Sequence, residues 1–225
     1  MSETNTLTGD VQGLPPNTLG FDCNTVITPA TAKAFFDSGY RYCTRYVGRT
    51  QMASFDLTTE EANTILDAGL GLMAVQHVSA WGWSPTGSLG TQFGANAANF
   101  AQQIGLPAGV NLWCDLEGVA AGTPAANVIA YCNNWYAAVK NAGYTPGLYV
   151  GAQCILTGAQ LYQSLSFQHY WKSGSTVPDI MTRGYQLVQH NLDAVVNGVQ
   201  IDQDTSQNDL LGGQAQCLFR AAPAV

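Results

Sequence analysis

Two carboxyl side chains separated by one residue, Asp115 and Glu117, follow the apolar run VNLWC. Side chains alternate along a β-strand, so both point to one side while Cys114 and Leu116 point away. Like charges held that close repel, which pushes one carboxyl towards its protonated form near neutral pH and leaves the other ionised. A protonated donor beside an ionised stabiliser suits glycoside cleavage, which needs a proton for the leaving oxygen and negative charge facing an oxocarbenium-like centre. Asp22, Asp202 and Asp204 also end strand-like runs, GFDC and GVQID. An isolated Asp at a strand end is equally a turn former or a helix N-cap, and Asp204 is the weaker candidate because Asp-Thr-Ser is equally a turn. The expected acidic set is therefore Asp22, Asp115, Glu117 and Asp202, with Glu117 as the proton donor.

Such a set needs a scaffold that brings distant strand ends together. From Leu19 onward, β-type runs alternate with helix-type segments: LGFDC, a helix from Pro29 to about Ser38, YRYCTRYV, and a helix beginning LTTEEA and stopping near Ala68-Gly69. GLMAVQHV, a helix over about Thr91 to Ile104, VNLWCDLE, a helix from about Pro124 to Asn141, and PGLYVGA continue the rhythm. After a short helix near Ala159 to Ser164, the runs FQHYWKS, GYQLVQH and GVQID follow with too little chain between them for full helices. Alternation of this kind indicates parallel strands with crossover helices. Eight strand candidates favour a closed barrel, whose catalytic groups project from the carboxyl ends of its strands. The expected fold is α/β: a single TIM-like (β/α)8 barrel over residues 19–225, with reduced or missing helices in the last units, preceded by a loose polar arm over residues 1–18. Closure would set the first and last strands side by side and Asp22 near Asp202, across the mouth from the Asp-x-Glu pair.

Polar and aromatic residues around the mouth are candidates for substrate binding. Trp81 and Trp83 lie in the Gly- and Ser-rich loop SAWGWSPTGSLG, while Tyr149 and Trp171 lie on the fifth and sixth strand candidates. Their rings could stack on sugar faces, with core packing the alternative for Tyr149 and Trp171. Gln76 and Gln189 supply amides near strand ends. Arg45, inside RYCTRYV, needs a carboxylate partner if it faces the barrel, or else lies at the surface. His77, His169 and His190 lack metal-ligand spacing and read as structural. No metal or cofactor is expected, although an Asp/Glu set can hold a hard cation. G-x-S-x-G, G-x-G-x-x-G after a strand, and a Walker motif are all missing, which removes the support for serine-nucleophile and nucleotide chemistry.

Hydrophobic residues make up 46% of the 225 residues, enough for a large core, and a net charge of -7 with only eight Lys and Arg argues against nucleic acid as a partner. No apolar run approaches the roughly 20 residues that span a bilayer, and MSETNTLTGD lacks a Sec-type leader. The expectation is a monomer, cytoplasmic as synthesised, reaching a cell wall by phage-type release or dedicated secretion. Its six cysteines are scattered with no C-x-x-C pair and are expected to be mostly free thiols.

GFDCN, RYVGR, LTTEEA with AGLGLMAVQ, the strand with Asp115-Leu116-Glu117, GYTPGLYVGA, the YW of the sixth strand and GVQID together resemble the glycoside-hydrolase-like barrel family, over about Leu19 to Asp204. That family is similar to the glycoside hydrolase family 25, or Chalaropsis-type, lysozymes, whose pattern has Asp on strand one, Asp-x-Glu on strand four and Asp on the last strand. The resemblance implies Glu117 as general acid/base, Asp115 as its partner, Asp22 as an orienting or stabilising carboxylate and Asp202 as the last-strand acid. It also implies that the substrate's N-acetyl group assists as an internal nucleophile, with Asp115 orienting it. The implied reaction is hydrolysis of the β-1,4 bond between N-acetylmuramic acid and N-acetylglucosamine in peptidoglycan. A non-catalytic barrel that keeps the acidic cleft to bind a glycan or another partner is the second reading.

Overall fold

The computed structural model describes residues 6–220. Strands β2 (Leu19–Cys23), β3 (Tyr42–Val47), β4 (Gly71–Gln76), β5 (Asn111–Leu116), β6 (Thr145–Val150), β7 (His169–Lys172) and β8 (Leu187–Val196) pair in parallel in chain order. Strand β9 (Val199–Ser206) pairs antiparallel with both β8 and β2 and closes the ring. These are the eight strands expected from the sequence, and the fold is a TIM-like α/β barrel. The last strand, however, runs opposite to the rest. Only Asn197 and Gly198 separate β8 from β9, both with positive φ, 52° and 77°. Two such residues build a tight hairpin turn and cannot build a parallel crossover. Asp202 and Asp204 therefore lie within a descending strand and do not end an ascending one.

Helices α1 (Pro29–Asp37), α2 (Thr59–Asp67), α3 (Gly87–Ile104) and α4 (Ala125–Asn141) cover the first crossovers. Between β6 and β7 only α5 (Gly158–Gln163) remains, and no helix separates β7 from β8. Local chemistry sets the starts. Thr28 caps α1 in a reciprocal capping box with Thr31, and Thr58 accepts from the Glu61 N–H at the start of α2. Helix α3 begins at Gly87, ahead of the expected Thr91, because Thr86 caps it by accepting from the Leu89 N–H. The glycines that hid this first turn have a packing function: a Cβ on Gly90 would lie 2.1 Å from the Tyr131 carbonyl oxygen on α4. Their absence of side chains lets the two helices touch backbone to backbone.

The expected loose arm is not loose where it is described. Asp10–Gly13 forms β1, which pairs antiparallel with β10 (Gln216–Phe219), and β10 in turn meets β4 at Leu218–Leu72. Leu7 and Leu14 are buried beside this ribbon. Residues 1–5 of the arm lie outside the described residues. All six cysteines are free and buried. No helix among the described residues is long and apolar enough to cross a membrane.

Candidate active site

Strand β5 carries Trp113 and Asp115 into the barrel, and the same phase continues to Glu117, one residue past its end. The two carboxyls line a cleft of about 190 Å³ with Tyr46, Tyr149, Trp171, Gln189 and Asp202. A second depression, lined by Asp22, Asn24, Thr25, Asp193 and Gln200, adjoins it, with Tyr46 and Asp202 contributing to both. In the β2–β9 ladder Asp22 stands directly opposite Asp202. The structure thus brings together the four acids expected from sequence.

Gln189 joins them. Its carbonyl oxygen accepts from the Gly174 N–H at 3.1 Å and the Tyr149 hydroxyl at 3.0 Å, which fixes the direction of its amide. The amide nitrogen then donates to Asp22 Oδ2 at 2.9 Å and Asp202 Oδ2 at 3.0 Å. Tyr46 donates to the other oxygen of Asp22 at 3.1 Å, and the Asp193 N–H donates to Asp202 Oδ1 at 2.7 Å.

Burial governs the titration of the set. It raises Asp115 well above the carboxylate range, followed by the charges of Glu117 and Asp22. Glu117 is raised by burial and then by Asp202. Asp22 is pushed up to about 7 by burial and then by Asp202, against the hydrogen bonds from Gln189 and Tyr46. Asp202 is raised by burial while the Asp193 N–H pulls the other way. Mutual repulsion was the expected cause of a split Asp115–Glu117 pair; desolvation is the larger one, and it lifts both. No side chain or N–H among the described residues donates to the Glu117 carboxyl. Gly151 leaves it room, since a Cβ there would stand 2.7 Å from Glu117 Oε2. Asp115 lines the same cleft, and its buried Oδ1 likewise has no partner among the described residues. Both acids are thereby left available to a ligand.

The other sequence candidates divide by strand phase. Tyr149 and Trp171 face the cleft, though both are largely buried and form its floor. Arg45 and Gln76 do not reach it. Each occupies the outward phase of its strand, where the neighbouring residues Tyr46 and Val75 face in. Arg45 is fully buried and pairs with Glu61 of α2 at 2.7 Å, also donating to the Cys23 and Phe55 carbonyls. Gln76 donates to the Phe93 carbonyl at 2.8 Å and accepts from Trp135 Nε1 at 2.8 Å, tying β4 to α3 and α4. Neither is a substrate ligand here.

Trp81 and Trp83 flank the cleft instead of lining it. Trp81 is 64% exposed, with its ring over Gly118. Trp83 packs edge-on against Tyr131 and donates its indole N–H to the Glu117 carbonyl. His77 is bonded to Asp56 at 2.7 Å and stacks on Tyr46 at 4.7 Å, a buttress for that cleft residue. Sequence reasoning missed Tyr46 and set Asp204 aside. Tyr46 was legible in principle, as the in-phase alternative to Arg45. Among the described residues no group of three or more His, Cys, Asp and Glu side chains is arranged to hold a metal ion.

Solved structures share this barrel. The Tat-secreted protein Rv2525c of Mycobacterium tuberculosis, in complex with L-tartrate, superposes with a TM-score of 0.66 at 18% identity, covering 86% of this chain and 96% of that one. A family 25 glycosyl hydrolase from Bacillus anthracis gives 0.60 at 13% identity, covering 85% and 89%. A muramidase from Trichobolus zukalii gives 0.58 at 15%, covering 84% and 93%. At these identities the likeness shows the fold alone. No curated protein matches the chain. The family model described as Rv2525c-like, glycoside hydrolase-like domain matches residues 33–214, so the chain belongs to that family of glycoside-hydrolase-like barrels.

Proposed function

We propose that this protein is a glycosidase acting on the glycan strand of peptidoglycan, cleaving the β-1,4 bond from N-acetylmuramic acid to N-acetylglucosamine with Glu117 as general acid/base. The observation that carries the reading is Glu117 itself. It is an acid held towards its protonated form by burial, with no donor to its carboxyl among the described residues, in a cleft lined by two further acids, Asp115 and Asp202, with Asp22 in the adjoining depression. A donor free of internal hydrogen bonds can give its proton to the leaving oxygen without first breaking one. Asp115, whose carboxyl lines the cleft, accepts from the acetamido N–H and orients that group as internal nucleophile. Asp22 and Asp202, fixed by Gln189, supply negative charge near the developing oxocarbenium ion. The two adjoining depressions suit consecutive sugars of one strand.

The fold shared with a family 25 glycosyl hydrolase and with a muramidase from Trichobolus zukalii supports this substrate class. The neighbour described as Tat-secreted supports action outside the cytoplasm after export. The test is release of reducing ends and muropeptides from purified peptidoglycan by the wild type and by Glu117→Gln. The substitution removes the transferable proton with little change of shape, and a loss of roughly 10²- to 10⁴-fold is expected. Wall binding without release by the folded wild type would replace the hydrolase with a glycan-binding barrel.

A further inference from the structure

Asp204 lies beneath the cleft, fully buried in the barrel. It faces inward on β9 in the same phase as Asp202, and pairs across the ladder with Gly20, so it is the diagonal neighbour of Asp22. Its Oδ1 accepts from the Trp171 indole N–H at 2.8 Å. Its Oδ2 has no donor among the described residues, yet the Asp204 and Asp22 carboxyls are within hydrogen-bonding reach of each other. Two ionised carboxylates only accept, so that contact becomes a hydrogen bond only if one of them holds a proton.

The surroundings decide which one. Asp22 receives donors on both oxygens, Tyr46 on Oδ1 and Gln189 on Oδ2, and donors on a carboxylate favour its ionised form. Asp204 receives one donor only among the described residues, the Trp171 indole. The titratable groups facing it are Asp22 on β2, Tyr42 on β3 and Asp202 on its own strand. No cation is among them, and an unpaired charge in such a place is costly. We infer that Asp204 is a positioning residue of the cleft: it remains an uncharged acid, fixes the Trp171 indole through one oxygen, and donates from the other to Asp22. Burial, followed by the charge of Asp22, raises Asp204 well above the carboxylate range, in the same sense. Asp22 thereby acquires a third donor, and the indole floor and the charged wall of the cleft are locked by one side chain.

The inference concerns the state of Asp22 and does not depend on turnover, so its failure is distinguishable from failure of the proposed hydrolysis. The experiment is carboxyl ¹³C NMR titration of aspartate-labelled protein, with resonances assigned through Asp22→Asn and Asp204→Asn. In the wild type, Asp204 is expected to stay protonated while Asp22 ionises. Asp204→Asn keeps an acceptor for Trp171 and a donor for Asp22, so the Asp22 midpoint should move by less than about half a pH unit. Asp204→Leu should raise that midpoint and alter the near-ultraviolet circular dichroism of Trp171. An Asp204 resonance that ionises with or before Asp22 overturns the inference. So does an Asp22 midpoint lowered by about a unit or more in Asp204→Asn, the signature of a removed like charge. Should Asp204→Asn fail to fold, the order of ionisation in the wild type still decides, with Asp204 picked out by elimination after assignment of the other buried aspartates.

Discussion

The indole N–H of Trp83 donates to the carbonyl oxygen of Glu117 at 2.8 Å, so a loop following β4 holds the backbone of the acid following β5. The attachment is reinforced on both sides: Gly82 N–H donates to the Gly118 carbonyl at 2.7 Å and Ala120 N–H to the Trp83 carbonyl at 2.7 Å. Two parallel segments, Trp83 and Val119, form a short bridge just beyond the barrel rim. Trp83→Phe keeps most of the ring and removes the donor. About 1 kcal/mol of stability should be lost, and kcat for wall hydrolysis should drop about 10-fold with little change in KM, because the acid is misplaced and binding is not. Steady-state kinetics alongside a urea melt check this; an unchanged kcat would detach the loop from the chemistry.

Arg45 and Glu61 form an ion pair with side chains 0% and 3% exposed. Breaking such a pair leaves an uncompensated charge, so Arg45→Met should cost about 3–5 kcal/mol. Adding Glu61→Leu should recover much of that, since no charge is then stranded. The equilibrium unfolding energies of the two variants and the wild type are the measurement. A destabilisation that the second substitution deepens would contradict the assignment of Arg45 to the outer layer.

Stability should fall as the pH rises through the acidic range. Burial, followed by the charge of Asp202, pushes Asp22 up to about 7 in the folded chain, against an ordinary value of 3.8. The folded state therefore binds this proton more tightly than the unfolded one, and the stabilisation is complete below the lower value and lost as pH climbs to the upper. For Asp22 alone the difference is of order 4 kcal/mol, and the raised Asp115 and Glu117 act with the same sign. Urea midpoints at about pH 4.5 and pH 7.5 should decrease, and Asp22→Asn should flatten the slope. A midpoint that rises with pH would contradict burial as the dominant cause.

Salt should help digestion of a polyanionic wall. The chain carries a net charge of -7, and neither depression of the cleft is lined by Lys, Arg or His. Repulsion between this surface and an anionic polymer is screened as ionic strength increases from about 10 mM to about 150 mM. Initial rates on whole walls should rise over that range, while rates on short uncharged fragments stay level. A fall on whole walls would point to an attractive patch elsewhere.

Much of this arrangement was legible in the chain, for identifiable reasons. Hydrophobic runs bounded by turn residues marked the eight barrel strands, and capping residues such as Thr58 marked helix starts. The one-residue spacing of Asp115 and Glu117 sets them on a common face in any strand. The Asn197-Gly198 signal for a hairpin was present too, but the regular β/α rhythm before it suggested another parallel strand. Phase was the weak point: strands buried on both faces read as apolar throughout, so nothing local told Tyr46 from Arg45 or Val75 from Gln76 as the inward residue.

The sequence by itself determined the barrel class and the acids that could do chemistry, because periodicity and charge are local properties of a chain. Tertiary structure alone decided which way each strand faced, that Gln189 bridges Asp22 and Asp202, and that Trp83 holds Glu117 from outside the cleft. It also decided that Asp204 is sealed beneath Asp22 instead of turning at the surface. Those relations join residues far apart in sequence, and they arise only when barrel closure removes water from around the carboxyls and leaves particular donors within reach.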